Sequence, residues 1–374
     1  MSHIHIPKTM AGVVLTGHGG LDKLEYRENL EVPQPLAGEV LIHVGASAIN
    51  NTDINTRTGW YSKGVTTGTD QGAAAGFETA NDEDGGWSGT PLSFPRIQGA
   101  DVCGNIIAVG EGVDPARMGE RVLVRPMQQA PGDPSSYNLI TFGSEINGGY
   151  AEYAVARSSE VFAINSTLSD AELASFPCAY STAEGMLDRV CLGAGERILI
   201  TGASGGVGSA AIQLAKRRGA EVIAVCGESK FDEVRQLGAD QVIARGQSLL
   251  EVLEKDSVHI VADLVAGPQW PELLEVLSRG GRYVASGAIA GPIVELDVRT
   301  LYLKDLSFYG STWQPKQVFE NLIGYIERNE IRPVVAKTYQ LRDLVQAQED
   351  FMGKRFSGKL TIAIGSQIRW PRGS

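Results

Sequence analysis

The chain has 374 residues, 43% hydrophobic and 21% charged, enough for two or three domains and at least one large core. Its 44 acidic against 33 basic residues leave a net charge of -11, which argues against nucleic-acid and anionic-membrane partners. Four cysteines without a Cys-x-x-Cys pair argue against a disulfide scaffold or a closed cysteine-rich zinc site. With no uncharged apolar run near twenty residues and no signal-peptide pattern at the N-terminus, the expectation is a cytoplasmic enzyme without a membrane partner.

Residues 11–158 read as short β-strands between Gly, Pro, Asn and Asp turns, as in the runs 39–44 and 120–124. Residues 62–93 break this pattern, being rich in Gly, Ala, Thr and acid. A loop of this length is either a lid over a site or a solvated surface excursion. From about 168 to 311, compact apolar strands at 198–201, 222–225, 241–243, 259–264, 283–285 and 306–309 alternate with helical windows such as 207–218 and 230–237. That alternation predicts parallel βαβ units in a doubly wound sheet, an α/β fold. A helix over 318–328 and strand-like pieces near Val334 and 359–363 complete the chain.

The strongest chemical signal is the turn after the first of these strands. Ile198-Leu199-Ile200-Thr201 runs into Gly202-Ala203-Ser204-Gly205-Gly206-Val207-Gly208, and a helix begins at once. In the Gly-x-Gly-x-x-Gly frame the positions are Ala203, Gly205 and Gly208. Backbone amides at such a helix start face a pyrophosphate, and missing side chains let it approach. The second strand ends Val225-Cys226-Gly227 with no carboxylate at its tip, and Lys230 follows. A 2′-phosphate meets no repelling anion there and finds a cation, so NADP(H) is the expected cofactor. Glu228 is the competing signal for NAD, and a solvent-facing lysine is the plain alternative for Lys230.

The order of parts, with Gln98-Gly99-Ala100-Asp101-Val102-Cys103-Gly104-Asn105, Gly148-Gly149-Tyr150-Ala151-Glu152-Tyr153 and Cys178-Ala179-Tyr180-Ser181-Thr182-Ala183, resembles the medium-chain dehydrogenase/reductase superfamily. The resemblance implies a GroES-like β-rich catalytic domain (1–179 and 313–374, with 62–93 inserted) and a Rossmann NADP(H)-binding domain (180–312). It also implies a homodimer built by the Rossmann domains. Zinc alcohol dehydrogenases of this superfamily hold a catalytic metal through Cys, His and Cys. Here those places are filled by Asn50, Ala100 and Cys178, so no zinc is expected. Asp101 is the one substitute ligand the local sequence offers. The pattern Asn50-Asn51-Thr52-Asp53, then Arg57, Gly59 and Tyr61, is similar to the zinc-free quinone oxidoreductase branch, with a departure at Asn55, where that branch commonly has tyrosine.

Without a Lewis acid, hydride transfer suits acceptors that are already electron-poor: quinones, conjugated enones or enals, and enoyl thioesters. Asn50, Thr52 and Tyr61 are the candidate catalytic residues. Asn50 would give its amide to the oxygen that gains charge, and Thr52 or Tyr61 would donate a hydrogen bond or relay a proton. Each has a structural alternative, as turn cap, turn residue or core aromatic. Asp53 reads as an ion-pair partner of Arg57 or Lys359. By the resemblance, Lys359 belongs near the cofactor phosphates. Trp60, Cys178 and Trp313, with Trp87, are candidate substrate-pocket residues. Cys103, Cys191 and Cys226 read as buried small apolar groups, His43 lies on a strand, and His3 and His5 belong to the N-terminal tail. The rival readings are a zinc alcohol dehydrogenase and an NADPH-binding sensor or structural protein with little catalysis.

Overall fold

The alternating strands and helices of the middle of the chain form one parallel sheet. Its six strands lie in the order Gln241–Ala244, Glu221–Cys226, Arg197–Ile200, Val258–Asp263, Leu277–Ala285, Ser307–Gly310, and every neighbouring pair is parallel. Ile198, Leu199 and Ile200 are fully buried, as expected of a central strand covered on both faces. The order reverses beside Arg197–Ile200, which opens a crevice at the carboxyl ends of the strands. This is a Rossmann-like, doubly wound sheet. The computed structural model describes residues 5–132 and 137–365, so His3 lies outside the described residues.

The helix Gly206–Arg217 follows the first strand and packs on Pro177–Arg189, which in turn meets Lys316–Glu327. Tyr180, Ala183, Leu187, Ile212, Ala215, Phe319 and Leu322 share that core. The Pro177–Arg189 helix leaves no readable periodicity because every residue from Pro177 to Leu187 is buried, the polar Ser181, Thr182 and Glu184 included, so polarity does not mark an outer face.

The N-terminal part is a GroES-like β-structure. Its strand Glu39–Ala48 pairs with Cys103–Val109, Tyr153–Arg157 and Lys359–Ala363. The last of these comes from the C-terminus, and it also pairs with Val335–Gln340. The returning chain passes directly beneath the glycine turn, where Gly358 N donates to Ser204 O at 2.9 Å.

Residues 62–93 form turns without helix or strand, yet they are tied down. The buried guanidinium of Arg57 donates to Gly19 O, to Ala73 O and to Gln348 Oε1 at 2.8, 2.7 and 2.9 Å. Thr69 N donates to Ile289 O at 3.1 Å, joining the insertion to the loop after Leu277–Ala285. Two expectations are corrected here. Arg57 is not a partner of Asp53, because three backbone and side-chain acceptors consume it. Cys191 is exposed, in a turn with φ of 50°, while Cys103 and Cys226 are buried.

Candidate active site

A cleft of about 1260 Å³ lies between the β-structure and the parallel sheet. One wall is formed by the carboxyl ends of the parallel strands: Gly202, Ser204 to Gly208, Leu264, Ala285 to Ile289, and Gly310 to Trp313. The opposite wall carries Asn50, Thr52, Asn55, Trp60 and Tyr61 from the helix Asn51–Thr58 and the turn after it. Trp87, Ser88 and Thr90 of the insertion complete it, so the insertion forms part of the wall. Cys178, Gly227 and Lys230 also line the cleft.

The floor beneath Asn50 is a buried polar cluster. Lys359 Nζ donates to Asn50 Oδ1 at 2.5 Å and to Asp101 Oδ2 at 2.9 Å, and Asn50 Nδ2 donates to the same Oδ2 at 2.8 Å. Asp101 Oδ1 accepts from Cys178 N at 2.6 Å. This arrangement bears on two expectations. Asn50 occupies the N-cap position of Asn51–Thr58, but both ends of its amide are engaged within the cluster, so it has no strong donor left for a substrate oxygen. The Lys359 ammonium bonds Asn50 and Asp101, and its stem lies under the glycine turn, against the place a Gly206 side chain would fill.

Asp53 caps the same helix by accepting from Asn50 N at 2.8 Å, and also from Tyr150 Oη at 3.0 Å and Gly99 N at 3.2 Å. It makes hydrogen bonds in place of the expected ion pair. Burial pushes its carboxyl up to about 6, against these hydrogen bonds, which favour the charged form.

The residues that would hold a catalytic zinc do not fit one. Asn50 is engaged by an ammonium, Ala100 offers a methyl, and both Asp101 oxygens are bonded. Burial and the nearby Asp101 carboxylate hold the Cys178 thiol well above its ordinary range. A catalytic zinc needs three protein ligands with an open position, and among the described residues no group of three or more His, Cys, Asp or Glu side chains is placed to bind a metal.

Thr52 and Tyr61 form the usable donor pair. Tyr61 Oη donates to Thr52 Oγ1 at 3.2 Å. Burial pushes the Tyr61 hydroxyl up to about 12, so it stays protonated. Its ring stacks on Trp87 with 5.9 Å between centroids and packs edge-on against Trp60 at 5.7 Å. Trp313 belongs to a different group: it packs edge-on against Tyr137 at 5.2 Å and donates to Gln129 Oε1 at 2.8 Å. The three tryptophans therefore line the cleft without forming one aromatic cage.

At the other end the glycine turn is shaped for a diphosphate. A side chain on Gly208 would lie 2.3 Å from Gly202 O, so helix packing requires this glycine. Gly205 has an ordinary φ of -77°, and a Cβ there would meet only Gly202 O, at 3.4 Å. Its missing side chain therefore leaves space on the cleft side, as a cradle for a ligand does. Ser204, Gly206 and Val207 line the cleft with it, whereas Ala203 is fully buried in the helix core and corrects that assignment. Beyond Gly227, the cleft is lined by Ser229, Lys230 and Arg245, while Glu228 is exposed outside it. Arg245 and Lys354 were missed in the sequence. Arg245 directly follows the strand Gln241–Ala244, a signal that was available, whereas Lys354 reaches Asn51 Oδ1 at 3.1 Å only through the C-terminal fold.

Residues 36–166 match the alcohol dehydrogenase GroES-like domain and 206–328 the zinc-binding dehydrogenase domain. The crystal structure of a provisionally named alcohol dehydrogenase from Sinorhizobium meliloti 1021 superposes with a TM-score of 0.85 at 46% identity, covering 96% of this chain and 98% of that one. The chain belongs to the medium-chain dehydrogenase/reductase superfamily. Curated members of that superfamily with similar sequences include the acryloyl-coenzyme A reductase of Metallosphaera sedula, 28% identical over 94% of this chain and 99% of the relative. The quinone oxidoreductase of Mus musculus is also 28% identical, over 96% and 98%.

Proposed function

We propose that this protein is a zinc-independent, NADPH-dependent oxidoreductase that reduces electron-poor conjugated carbonyl acceptors: quinones, enones, enals or enoyl thioesters. The observation that carries this reading is one cleft with a diphosphate cradle at one end and an uncharged hydroxyl pair, Thr52 and Tyr61, at the other. The names of the two curated relatives, a quinone reductase and an enoyl-thioester reductase, support the acceptor class. Lys230 and Arg245 on the cleft wall, with no carboxylate at the strand tip, support NADP(H) over NAD(H). The catalytic unit would comprise 1–179 and 313–374, and the nucleotide unit 180–312.

When bound, the nicotinamide supplies a hydride to the electrophilic carbon of the acceptor. Thr52 has no donor bond to protein among the described residues, so its hydroxyl hydrogen is available to the acceptor oxygen as negative charge builds there. Tyr61 donates to Thr52 Oγ1 and keeps its own proton, which holds the Thr52 hydrogen free for the acceptor oxygen, and the proton that completes the reduced product comes from water. The Trp60, Tyr61 and Trp87 rings exclude water from this end of the cleft. Thr52→Val should lower kcat about 100-fold with NADPH affinity unchanged, and Tyr61→Phe about 10-fold. Stopped-flow hydride transfer and NADPH titration measure the two quantities. Unchanged kcat in Thr52→Val would remove this residue from the reaction.

The proposed assembly is a homodimer. Ser307–Gly310 is an edge strand, and beside it Ile293, Val298, Tyr302, Leu303 and Phe308 are exposed apolar side chains. An unpaired apolar edge of this kind is closed by pairing with a second copy.

A further inference from the structure

The helix Asn51–Thr58 places Thr52 and Asn55 three residues apart, on one face, toward the cleft. Asn55 is 6% exposed. Its Oδ1 has no hydrogen-bond partner among the described residues. A buried amide oxygen left without a donor is costly, and native structures rarely retain one without a reason. Among the other cleft atoms, Ser311 Oγ shares this condition. It lies at the end of the strand Ser307–Gly310, on the nucleotide side, and so belongs to the cofactor's surroundings. Asn55 lines the acceptor side of the cleft together with Thr52 and Tyr61.

We infer that Asn55 is a specificity residue whose Oδ1 accepts a hydrogen bond from the substrate. The preferred acceptors then carry an O–H or N–H donor close to the reducible double bond. A hydroxyl next to a conjugated enal and the amide N–H of a pantetheine-type thioester both satisfy this requirement. A plain alkenal or a simple alkyl thioester leaves the oxygen orphaned. Asn55 therefore acts on the acceptor as a recognition residue.

This inference rests on the acceptor class proposed above, and its test separates the two. Two matched pairs serve as probes: 4-hydroxy-2-hexenal against 2-hexenal, and the crotonyl thioester of N-acetylcysteamine against that of propanethiol. The expected kcat/KM favours the donor-bearing member about 10-fold in at least one pair, and the pair that shows it identifies the donor as hydroxyl or amide. In Asn55→Leu the ratio should fall to within about 2-fold, even where both rates drop. Equal kcat/KM within both pairs, or an unchanged ratio in Asn55→Leu, overturns the inference. Binding of the saturated butyryl thioesters to the NADP⁺ complex, followed by tryptophan fluorescence, gives a readout without turnover. A tighter amide-bearing member that loses its advantage in Asn55→Leu supports the inference even where no acceptor is reduced, and equal binding overturns it. Absence of turnover with every probe would count against the acceptor class alone.

Discussion

At the scale of single residues, the site is decided by which polar groups are already engaged. Asn50, Asp101 and Lys359 bind one another, so the place of the family's metal is filled by an internal network. Removing one member of such a buried pair typically costs about 3–5 kcal/mol, which makes Lys359→Ala a folding variant before it is a catalytic one. Asp53 gives a signed prediction. Its folded carboxyl is raised from 3.8 to about 6, so its stabilising contribution is complete below pH 4 and is lost as pH rises through 6. Tyr150→Phe removes a donor to the charged form. The carboxyl should then rise further, and the loss of stability should be greater at pH 8 than at pH 5, by about 1.5–3 kcal/mol. Thermal melts of both proteins across that range check it, and an equal loss at both pH values would contradict it. The residue types of this site were legible in the sequence, but their hydrogen-bond partners were not. Lys359 and Asn50 are 309 positions apart, and nothing local announces that a C-terminal strand will deliver an ammonium to a helix cap.

At the scale of elements, strand, glycine turn and helix could be read together because each local signal agreed. A buried apolar strand, glycines with distinct roles and an amphipathic helix all point to one unit. The glycines divide by cause, and this can be measured. Gly208→Ala places a methyl against Gly202 O and Ala203, so it should lower Tm by several degrees. Gly205→Ala is accommodated by the empty protein and should leave Tm within about 2 °C while weakening NADPH binding about 10-fold or more. Calorimetry and fluorescence titration distinguish them. Loss of stability in Gly205→Ala with binding intact would reverse the assignment. Elements that escaped the sequence reading did so for physical reasons. Pro177–Arg189 is buried from Pro177 to Leu187, polar residues included, and the insertion is held by Arg57 and by backbone contacts that leave no periodic trace.

At the scale of the whole molecule, the cleft exists because the C-terminal chain returns to the N-terminal sheet and passes under the nucleotide turn. The insertion then crosses from one wall to the other through Thr69 and Ile289. The apolar edge around Tyr302 and Phe308 belongs to this scale as well. Tyr302→Asp together with Leu303→Asp should shift light-scattering mass from dimer to monomer, and an unchanged dimer would place the interface elsewhere. The central claim is hydride transfer to an electron-poor acceptor without a metal. It is tested most directly by following NADPH absorbance with chelator-treated protein and a panel of quinones, enals and enoyl thioesters. The account predicts turnover that chelation leaves within about 2-fold, with NADH a poorer donor. Activity that disappears on chelation and returns with zinc would contradict it.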